Sequence, residues 1–306
     1  MREEEVTIAS GAVRLSGTLT LPAVPPPVPV VLCLHGSGPL DRDENLGKRG
    51  LNVFNTIAAH LAPRGIATLR FDKRGCGRST GDYYRAGHTD LMADAAACLG
   101  FLESDARFGR RFVLGHSAGT LMGAELSLTH EVAGLVLLAP FFTGLERLLV
   151  SQAESIEAML EERRGLSGAV TRLLMRIVGT PRESQRRLLD KLKQTDAPVL
   201  RQGIQKLPAR WLREVIAIDP AGIYARVRVP ALVLGGGKDL QCDPADVGRI
   251  AELMGDLATP ALIGDLTHLL RRDPGPASFA SYGRLSRQPM DAEVVRLVGE
   301  WLAARV

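Results

Sequence analysis

Hydrophobic and polar positions follow two different patterns along the chain. Residues 5–21 alternate with a period of two around Ser-Gly pairs, which predicts a half-buried hairpin at the edge of a sheet. Later apolar runs end near glycine, proline or a polar residue and are typical of strands buried on both faces. These runs are VPVVLCLHG, IATLRFD, RRFVLGH, VAGLVLLAP and PALVLGG.

Helical periodicity fills the intervals between these runs, at about residues 51–64, 88–104, 118–130 and 243–254. Strands that alternate with helices predict an α/β protein with a mostly parallel sheet covered on both faces. Residues 291–306 place apolar side chains at helical spacing and would close the core as an amphipathic helix. Core packing explains this apolar stripe, so it gives no reason to infer an oligomer.

Residues 145–215 break the alternation. They show helical periodicity in AESIEAMLEERR, AVTRLLMRIVG and ESQRRLLDKLKQ, and no run that resembles a strand. We therefore predict a helical cap, residues 141–215, inserted into an α/β core made of residues 1–140 and 216–306.

The segment 145–215 carries fourteen Lys or Arg against nine Asp or Glu, with Trp211 as its one aromatic residue. A solvated helical surface explains this charge better than nucleic-acid binding does.

Composition narrows the class of protein further. Hydrophobic residues make up 45% of the 306 positions, which is ample for a buried core. The start, MREEEVTIAS, lacks the basic and then apolar order of a signal peptide, and no uncharged apolar run reaches the roughly 18 residues of a membrane span. We expect a cytoplasmic protein without a membrane partner.

The cysteines of the chain are far apart and its histidines are unclustered, so neither a disulfide framework nor a metal site is expected. The cysteines are Cys33, Cys76, Cys98 and Cys242.

One serine stands in a pattern typical of a nucleophile. In FVLGHSAGTLMG a strand ends at about Leu114 and a helix begins just after Ser117, so the chain must turn sharply there. Side chains at Gly115 and Gly119 would collide with the neighbouring strand and helix. An ordinary strand-to-helix turn containing serine would have the same local sequence. Because a hydroxyl needs a base to become a nucleophile, the rest of the chain decides between these interpretations.

A suitable acid and base follow in the chain. Asp239 comes after the buried run PALVLGG and a glycine turn, and His268 follows a further short strand 29 positions later. Serine, then aspartate, then histidine is the order of the α/β hydrolase triad. Asp243, Asp246 and Asp265 are alternatives to Asp239, although the first two resemble the start of the next helix, where acidic residues are favoured.

The other histidines are weaker candidates for the base. His60 and His130 fall at predicted helix ends, and His116 is the sequence neighbour of the serine, where a histidine usually packs beneath the turn. His35 and His88 complete the set. We therefore take His268 as the predicted base.

Two backbone N–H groups are candidates for an oxyanion hole. Ala118 directly follows the serine, and Ser37 lies in the glycine turn of LCLHGSGPLDRDE, after an early strand of the same sheet. Gly36 and Gly38 would let the backbone approach a substrate. An ordinary glycine turn is the alternative for residues 36–38.

Four stretches together resemble the α/β hydrolase superfamily, and most closely the prokaryotic carboxylesterases of the dienelactone hydrolase and serine aminopeptidase type. They are LHGSGPLDRDEN, LAPRGIATLRFDKRGCGRST, VLGHSAGTLMG and LVLGGGKDLQCDP. The resemblance implies the α/β hydrolase fold and a structural role for RFDKRGCGRS, with Asp72 and Arg74 bracing the loops around the site. The acid loop departs from the family pattern, because Cys242 and Asp243 precede Pro244.

These residues predict a carboxylesterase. His268, oriented by Asp239, would deprotonate Ser117 for attack on a small-molecule ester, without a metal or an organic cofactor. An aminopeptidase or amidase, a thioesterase and a C–C bond hydrolase would use the same triad; a peptidase would need an acidic residue for the substrate amine. Candidates for that role are Glu154, Glu157 and Glu161. A non-catalytic binding protein on the same fold is the alternative from another class.

Overall fold

An eight-stranded sheet forms the centre of the computed structural model, which describes residues 1–47, 50–162, 175 and 179–306. The strands are β1 (Arg2–Ser10), β2 (Val13–Leu21), β3 (Val28–Leu34), β4 (Ala67–Phe71), β5 (Phe108–His116), β6 (Gly134–Leu138), β7 (Leu200–Gln202), β8 (Gln205–Leu207), β9 (Ala231–Gly236) and β10 (Ala258–Ile263). In the sheet they lie in the spatial order β1-β2-β4-β3-β5-β6-β9-β10, and a separate pair joins β7 and β8. The six neighbours β4-β3-β5-β6-β9-β10 pair in parallel, whereas β1 with β2 and β2 with β4 pair antiparallel.

Helices cover both faces of the sheet, as the alternating pattern predicts. The helices of four or more residues are α1 (Val53–Leu61), α2 (His88–Glu103), α3 (Ala118–Ser127), α4 (Leu145–Glu161), α5 (Pro181–Lys193), α6 (Ala209–Ile216), α7 (Pro220–Tyr224), α8 (Asp246–Met254), α9 (Tyr282–Leu285) and α10 (Ala292–Ala303). Short 3-10 turns extend some of these elements. In the described residues, no helix is both long and apolar enough to cross a membrane.

The continuous apolar runs are explained by two hydrophobic clusters, one on each face of the sheet. Within β3, Val30 and Leu32 point into the cluster beneath α2 and α3, whereas Val31 and Cys33 point into the cluster beneath α1 and α10. Every residue of β3 except Pro29 is therefore buried. Fully burying a valine or leucine side chain contributes about 1.5–3 kcal/mol, so these central strands anchor the fold.

Helices α4, α5, α6 and α7 make up most of the described residues between β6 and β9. This part of the chain has a small hydrophobic cluster of its own around Leu189, Leu192 and Ala209. Trp211 of α6 reaches instead into the main core beside α2. The predicted helical stretch AVTRLLMRIVG lies outside the described residues except for Met175 and Gly179.

The expectation that residues 145–215 contain no strand was wrong. Strands β7 and β8 form a three-residue antiparallel hairpin that turns at Gly203, where φ is 60°. Their side chains are mainly exposed, and Ile204 at the turn is fully exposed. Such a short, polar hairpin leaves no apolar alternation in the sequence, so periodicity could not reveal it.

Candidate active site

Ser117 occupies the sharp turn between β5 and α3. Its backbone angles are φ 51° and ψ −119°, a strained combination for a residue other than glycine. A Cβ atom added at Gly115 would overlap the backbone of Gly119, and one at Gly119 would overlap the backbone oxygen of Leu34. Both glycines are therefore required for the close approach of helix and strand, and the turn holds the serine where the strand ends.

Asp239 and His268 form a buried hydrogen-bonded pair. His268 donates from Nδ1 to Asp239 Oδ2 at 2.8 Å, and both side chains are more than 90% buried. The other carboxylate oxygen accepts the backbone N–H groups of Gln241 at 2.7 Å and Cys242 at 2.9 Å. Three hydrogen bonds thus fix the carboxylate, and the carboxylate fixes the ring so that Nε2 carries the free lone pair.

The loop that carries Asp239 and the loop that carries His268 lie against each other because glycines at their contact place no side chain between them. A Cβ atom at Gly236 would overlap the backbone oxygen of Leu266, and one at Gly237 would lie 2.6 Å from the oxygen of Gly264. The glycine run after β9 therefore permits the Asp239–His268 contact.

Ser117 lies beside this pair through its neighbour His116. The ring centroids of His116 and His268 are 5.1 Å apart. In the described part of the chain, Ser117 Oγ makes no hydrogen bond, so the geometry joins acid to base directly and connects them to the serine turn through His116. Catalytic hydrogen bonds are often long in unliganded enzymes and shorten when substrate binds.

A second buried pair, Glu44 and His116, was missed by the sequence reasoning. Glu44 Oε1 accepts from His116 Nδ1 at 3.0 Å and from the Gly36 N–H at 2.7 Å. Burial opposes the charge on His116, but the Glu44 carboxylate and the hydrogen bonds of the ring together raise its pKa. Burial likewise opposes the charge on Glu44, and the attraction of His116 leaves the pKa of Glu44 lowered. The stretch LHGSGPLDRDEN contains this glutamate, and its spacing gave no indication of the partner.

The two candidate oxyanion donors lie on either side of the serine. A Cβ atom at Gly36 would lie 3.3 Å from Ser117 Cβ, so the 36–38 turn adjoins the nucleophile candidate. The Gly38 N–H donates to the Tyr83 hydroxyl at 3.0 Å, and the Gly36 N–H is bonded to Glu44. Among the described residues, no acceptor contacts the N–H of Ser37 or of Ala118. Both donors therefore remain available for an oxygen atom bound near Ser117.

The alternative aspartates are engaged elsewhere. Asp243 pairs with Arg249 at 2.8 Å, and Asp265 pairs with Lys238 at 3.0 Å. Asp246 begins α8, where it accepts the Phe142 N–H at 2.9 Å. The geometry therefore favours Asp239 as the partner of His268.

Asp72 and Arg74 brace neighbouring loops, as the resemblance implies. Asp72 binds the Arg42 guanidinium at 2.9 Å and the Arg78 N–H at 2.9 Å, and Arg74 binds Asp94 on α2. These contacts hold the turn after β4 to the loop that precedes α1 and to α2.

The positions and contacts of the four remaining histidines are those of structural residues. His35 is buried between the rings of Phe54 and Phe71, and burial lowers the pKa of His35 to about 3. His60 lies in the last turn of α1, and His130 follows α3. His88 begins α2 and bonds to Glu125.

A cavity of about 580 Å³ lies between α4 and the acid loop. Its wall includes Asp239, Gln241 and Gln152, and Gln152 Nε2 donates to the Gln241 carbonyl at 2.7 Å. The face of α4 that lines the cavity comprises Arg147, Leu148, Ser151, Gln152 and Ser155. The three candidate amine-binding residues lie outside this wall: Glu154, Glu157 and Glu161.

Asp239, Cys242 and His268 also satisfy a distance criterion for metal ligands, because their donor atoms all lie within 4.8 Å of one another. Burial raises the pKa of the Cys242 thiol well above its usual range. Asp239 and His268 are already bonded to each other. The cluster is therefore explained as an acid–base pair beside a buried thiol.

Comparison with known proteins gives one family and several esterases. The family described as serine aminopeptidase, S33 matches residues 49–275, a range that contains Ser117, Asp239 and His268 but not the 36–38 turn. The chain is 27% identical over 302 residues to the esterase EstD of Thermotoga maritima, covering 98% of this chain and 67% of that protein.

Solved structures share the fold at lower identity. Est1E of Butyrivibrio proteoclasticus, solved with ferulic acid bound, is similar with a TM-score of 0.65 at 16% identity, covering 98% of both chains. The Pyrococcus furiosus esterase Pf2001 is similar with a TM-score of 0.61 at 16% identity, covering 99% of this chain and 91% of that one. These likenesses establish a hydrolase fold shared with enzymes.

Proposed function

The chain belongs to the serine aminopeptidase, S33 family of α/β hydrolases, and from this premise we propose that it is a carboxylesterase with Ser117 as its nucleophile. The observation that carries the proposal is the buried hydrogen bond between Asp239 and His268, placed beside the strained turn that holds Ser117. An esterase relative that aligns with almost the whole chain supports the ester as substrate.

The catalytic cycle follows from this arrangement. Nε2 of His268 accepts the proton of Ser117 while Asp239 accepts the hydrogen bond from Nδ1, the other ring nitrogen. Ser117 Oγ then bonds to the ester carbonyl carbon, and the carbonyl oxygen takes the negative charge and accepts the N–H groups of Ser37 and Ala118. His268 returns the proton to the departing alcohol. Water, deprotonated by the same histidine, attacks the acyl enzyme, and the histidine returns that proton to Ser117 Oγ as the acid leaves.

Residues 141–215 serve in this proposal as the cap over the site. Helix α4 of this segment forms one wall of the 580 Å³ cavity and is bonded to the acid loop through Gln152 and Gln241. Of the three triad candidates, Asp239 is among the described residues that line this cavity, and Ser117 and His268 are not. The polar residues of α4 there, including Arg147 and Ser151, suit a substrate with polar groups.

The ester is favoured over the peptide as substrate. An aminopeptidase needs a carboxylate near the site that is free to bind the substrate amine. The glutamates of α4 stand outside the cavity wall, and the wall carboxylates Asp243 and Asp246 are both paired with Arg249. A binding protein would have no use for a strained serine beside a buried Asp–His pair, since both cost folding free energy.

The test is steady-state hydrolysis of p-nitrophenyl esters of increasing acyl length, beside amino-acid p-nitroanilides, with EDTA present. We expect ester turnover by the wild type, a loss of at least about 10³-fold in kcat for Ser117→Ala, and slower turnover of the anilides. Ser127→Ala, at the end of the same helix, is the matched control and should retain full activity. Equal or faster cleavage of anilides would overturn the ester assignment, and full activity in Ser117→Ala would overturn the nucleophile.

A further inference from the structure

A buried lysine contacts the turn that carries the Ser37 donor. Lys73, two residues after β4, is 5% exposed, and its ammonium donates to the carbonyl oxygens of Gly36 and of Gly38, the latter at 2.9 Å. Tyr83 lies alongside, with its ring centroid 5.6 Å from the Lys73 nitrogen. The sequence reasoning assigned Lys73 no role beyond its place in the structural turn.

The Gly36 carbonyl and the candidate oxyanion donor, the Ser37 N–H, are parts of one peptide group. This group is planar, so holding the oxygen also sets the direction of the N–H. An ammonium bonded to the oxygen withdraws electron density from the peptide. Hydrogen bonds in such a chain strengthen one another, so the N–H on the other side becomes a better donor.

The neighbouring peptide groups are held as well. The Gly36 N–H is bonded to Glu44 and the Gly38 N–H to the Tyr83 hydroxyl, while the second bond of Lys73 anchors the Gly38 carbonyl. Within residues 36–38, the Ser37 N–H is the one backbone donor without an acceptor in the described structure. Hydrogen bonds thus hold the N–H and C=O groups of Gly36 and Gly38 and leave the Ser37 N–H free.

We propose that Lys73 is a positioning residue of the oxyanion hole, whose buried ammonium orients and polarises the Gly36–Ser37 peptide so that the Ser37 N–H stabilises the transition state. This inference rests on the proposed function, since it concerns the same site. It assigns the KRG turn after β4 a part in catalysis through Ser37, without contact between Lys73 and the substrate.

The charges around Lys73 permit this role at neutral pH. Burial lowers the pKa of Lys73 to about 8, and Glu44, from the loop after β3, opposes that shift. His35 at the end of β3 is uncharged, because burial and Lys73 lower its pKa to about 3. Cys76 follows in the same turn as a protonated thiol, and Asp94 of α2 is bonded to Arg74. Lys73 is therefore an ammonium at pH 7 and loses its proton in mildly alkaline solution.

The experiment compares Lys73→Met with Arg74→Met, which removes the adjacent cation of the same turn and its bond to Asp94. Both variants are assayed for kcat and KM on p-nitrophenyl butyrate and for inhibition by an alkyl trifluoromethyl ketone, whose hemiketal oxyanion occupies the hole. For Lys73→Met we expect kcat to fall about 10–100-fold, KM to change less than about threefold, and the inhibition constant to rise in parallel with the loss in kcat/KM. Arg74→Met should lose stability but keep kcat within about threefold.

A loss of kcat in Lys73→Met no larger than that in Arg74→Met, or a rise in KM with kcat unchanged, would overturn the proposal.

The pH profile of wild-type kcat tests the proposal without a variant that has to fold. We expect kcat to decline about two- to fivefold as the pH rises through about 8, because a neutral amine is a weaker donor. A flat profile to pH 9.5 in folded protein would contradict the proposal. Wild type without any ester turnover would instead refute the proposed function.

Discussion

Nε2 of His116 donates a hydrogen bond to the backbone oxygen of His268, with 3.0 Å between the two atoms. Because His116 immediately precedes Ser117, the turn with the proposed nucleophile is tied to the loop with the proposed base. The other ring nitrogen of His116 is bonded to Glu44, which also holds the Gly36 N–H. One buried pair therefore connects the serine turn, the histidine loop and the oxyanion turn.

Replacing His116 should destabilise the protein strongly. In His116→Gln the Glu44 carboxylate stays buried without its cationic partner, which typically costs about 3–5 kcal/mol of unfolding free energy. Urea denaturation measures this loss. The double variant Glu44→Gln/His116→Gln, which leaves no uncompensated charge, should recover part of it. Strict additivity of the two single losses would show that the side chains do not act as a pair.

The stabilisation by this pair should depend on pH in a defined window. The pKa of His116 is raised from 6.5, so its contribution is complete below about 6.5 and is lost as the pH rises through the raised value. The pKa of Glu44 is lowered from 4.5, so its contribution is present above about 4.5 and is lost as the pH falls through the lowered value. The stability difference between wild type and His116→Gln should therefore be largest between about pH 4.5 and 6.5. A difference that grows steadily from pH 6 to pH 9 would contradict the assignment.

Asp239→Asn should reduce kcat by about 10³–10⁴-fold with little change in stability, because the amide cannot hold His268 in the productive tautomer. Steady-state ester hydrolysis, together with a thermal unfolding curve for each variant, measures both effects. Asp243→Asn, four positions along the same loop and half exposed, is the matched control and should retain activity within about twofold. Similar losses in both variants would mean that the loop, rather than one carboxylate, is needed.

The glycine requirement at the serine turn can be tested with one methyl group. Gly119→Ala places Cβ against the Leu34 backbone oxygen, where neither strand nor helix can yield cheaply, so we expect a loss of about 3 kcal/mol or more. Gly100→Ala adds the same methyl within α2, where no atom lies within 4 Å, and should stabilise by about 0.5–1 kcal/mol. Differential scanning calorimetry compares the two. A Gly119→Ala protein as stable as wild type would disprove the close approach.

Much of the core could be predicted from the sequence because its cause is local. Each central strand contains an apolar run of buried residues, and the glycines at Gly115 and Gly119 stand where the chain turns. Asp239 could be selected over Asp243 and Asp246 because it follows a strand rather than preceding a helix.

Other features depend on contacts that no short stretch encodes. Glu44 and His116 are 72 positions apart, and Lys73 lies more than 30 positions from the glycine turn that it holds. Neither contact produces a periodic pattern, since each consists of one side chain reaching one loop. The β7–β8 hairpin was missed for the opposite reason: it is local, but it is too short and too polar to alternate.

The most direct test of Ser117 as the nucleophile is peptide mapping by mass spectrometry after reaction with a fluorophosphonate. Ser117 Oγ would bond to phosphorus as fluoride leaves, a reaction that unactivated serines do not undergo at a comparable rate. We expect one adduct per chain, located on Ser117, with reaction abolished in Ser117→Ala and greatly slowed in Asp239→Asn. An adduct on another serine, or undiminished labelling of Ser117→Ala, would contradict the assignment of Ser117 as the nucleophile.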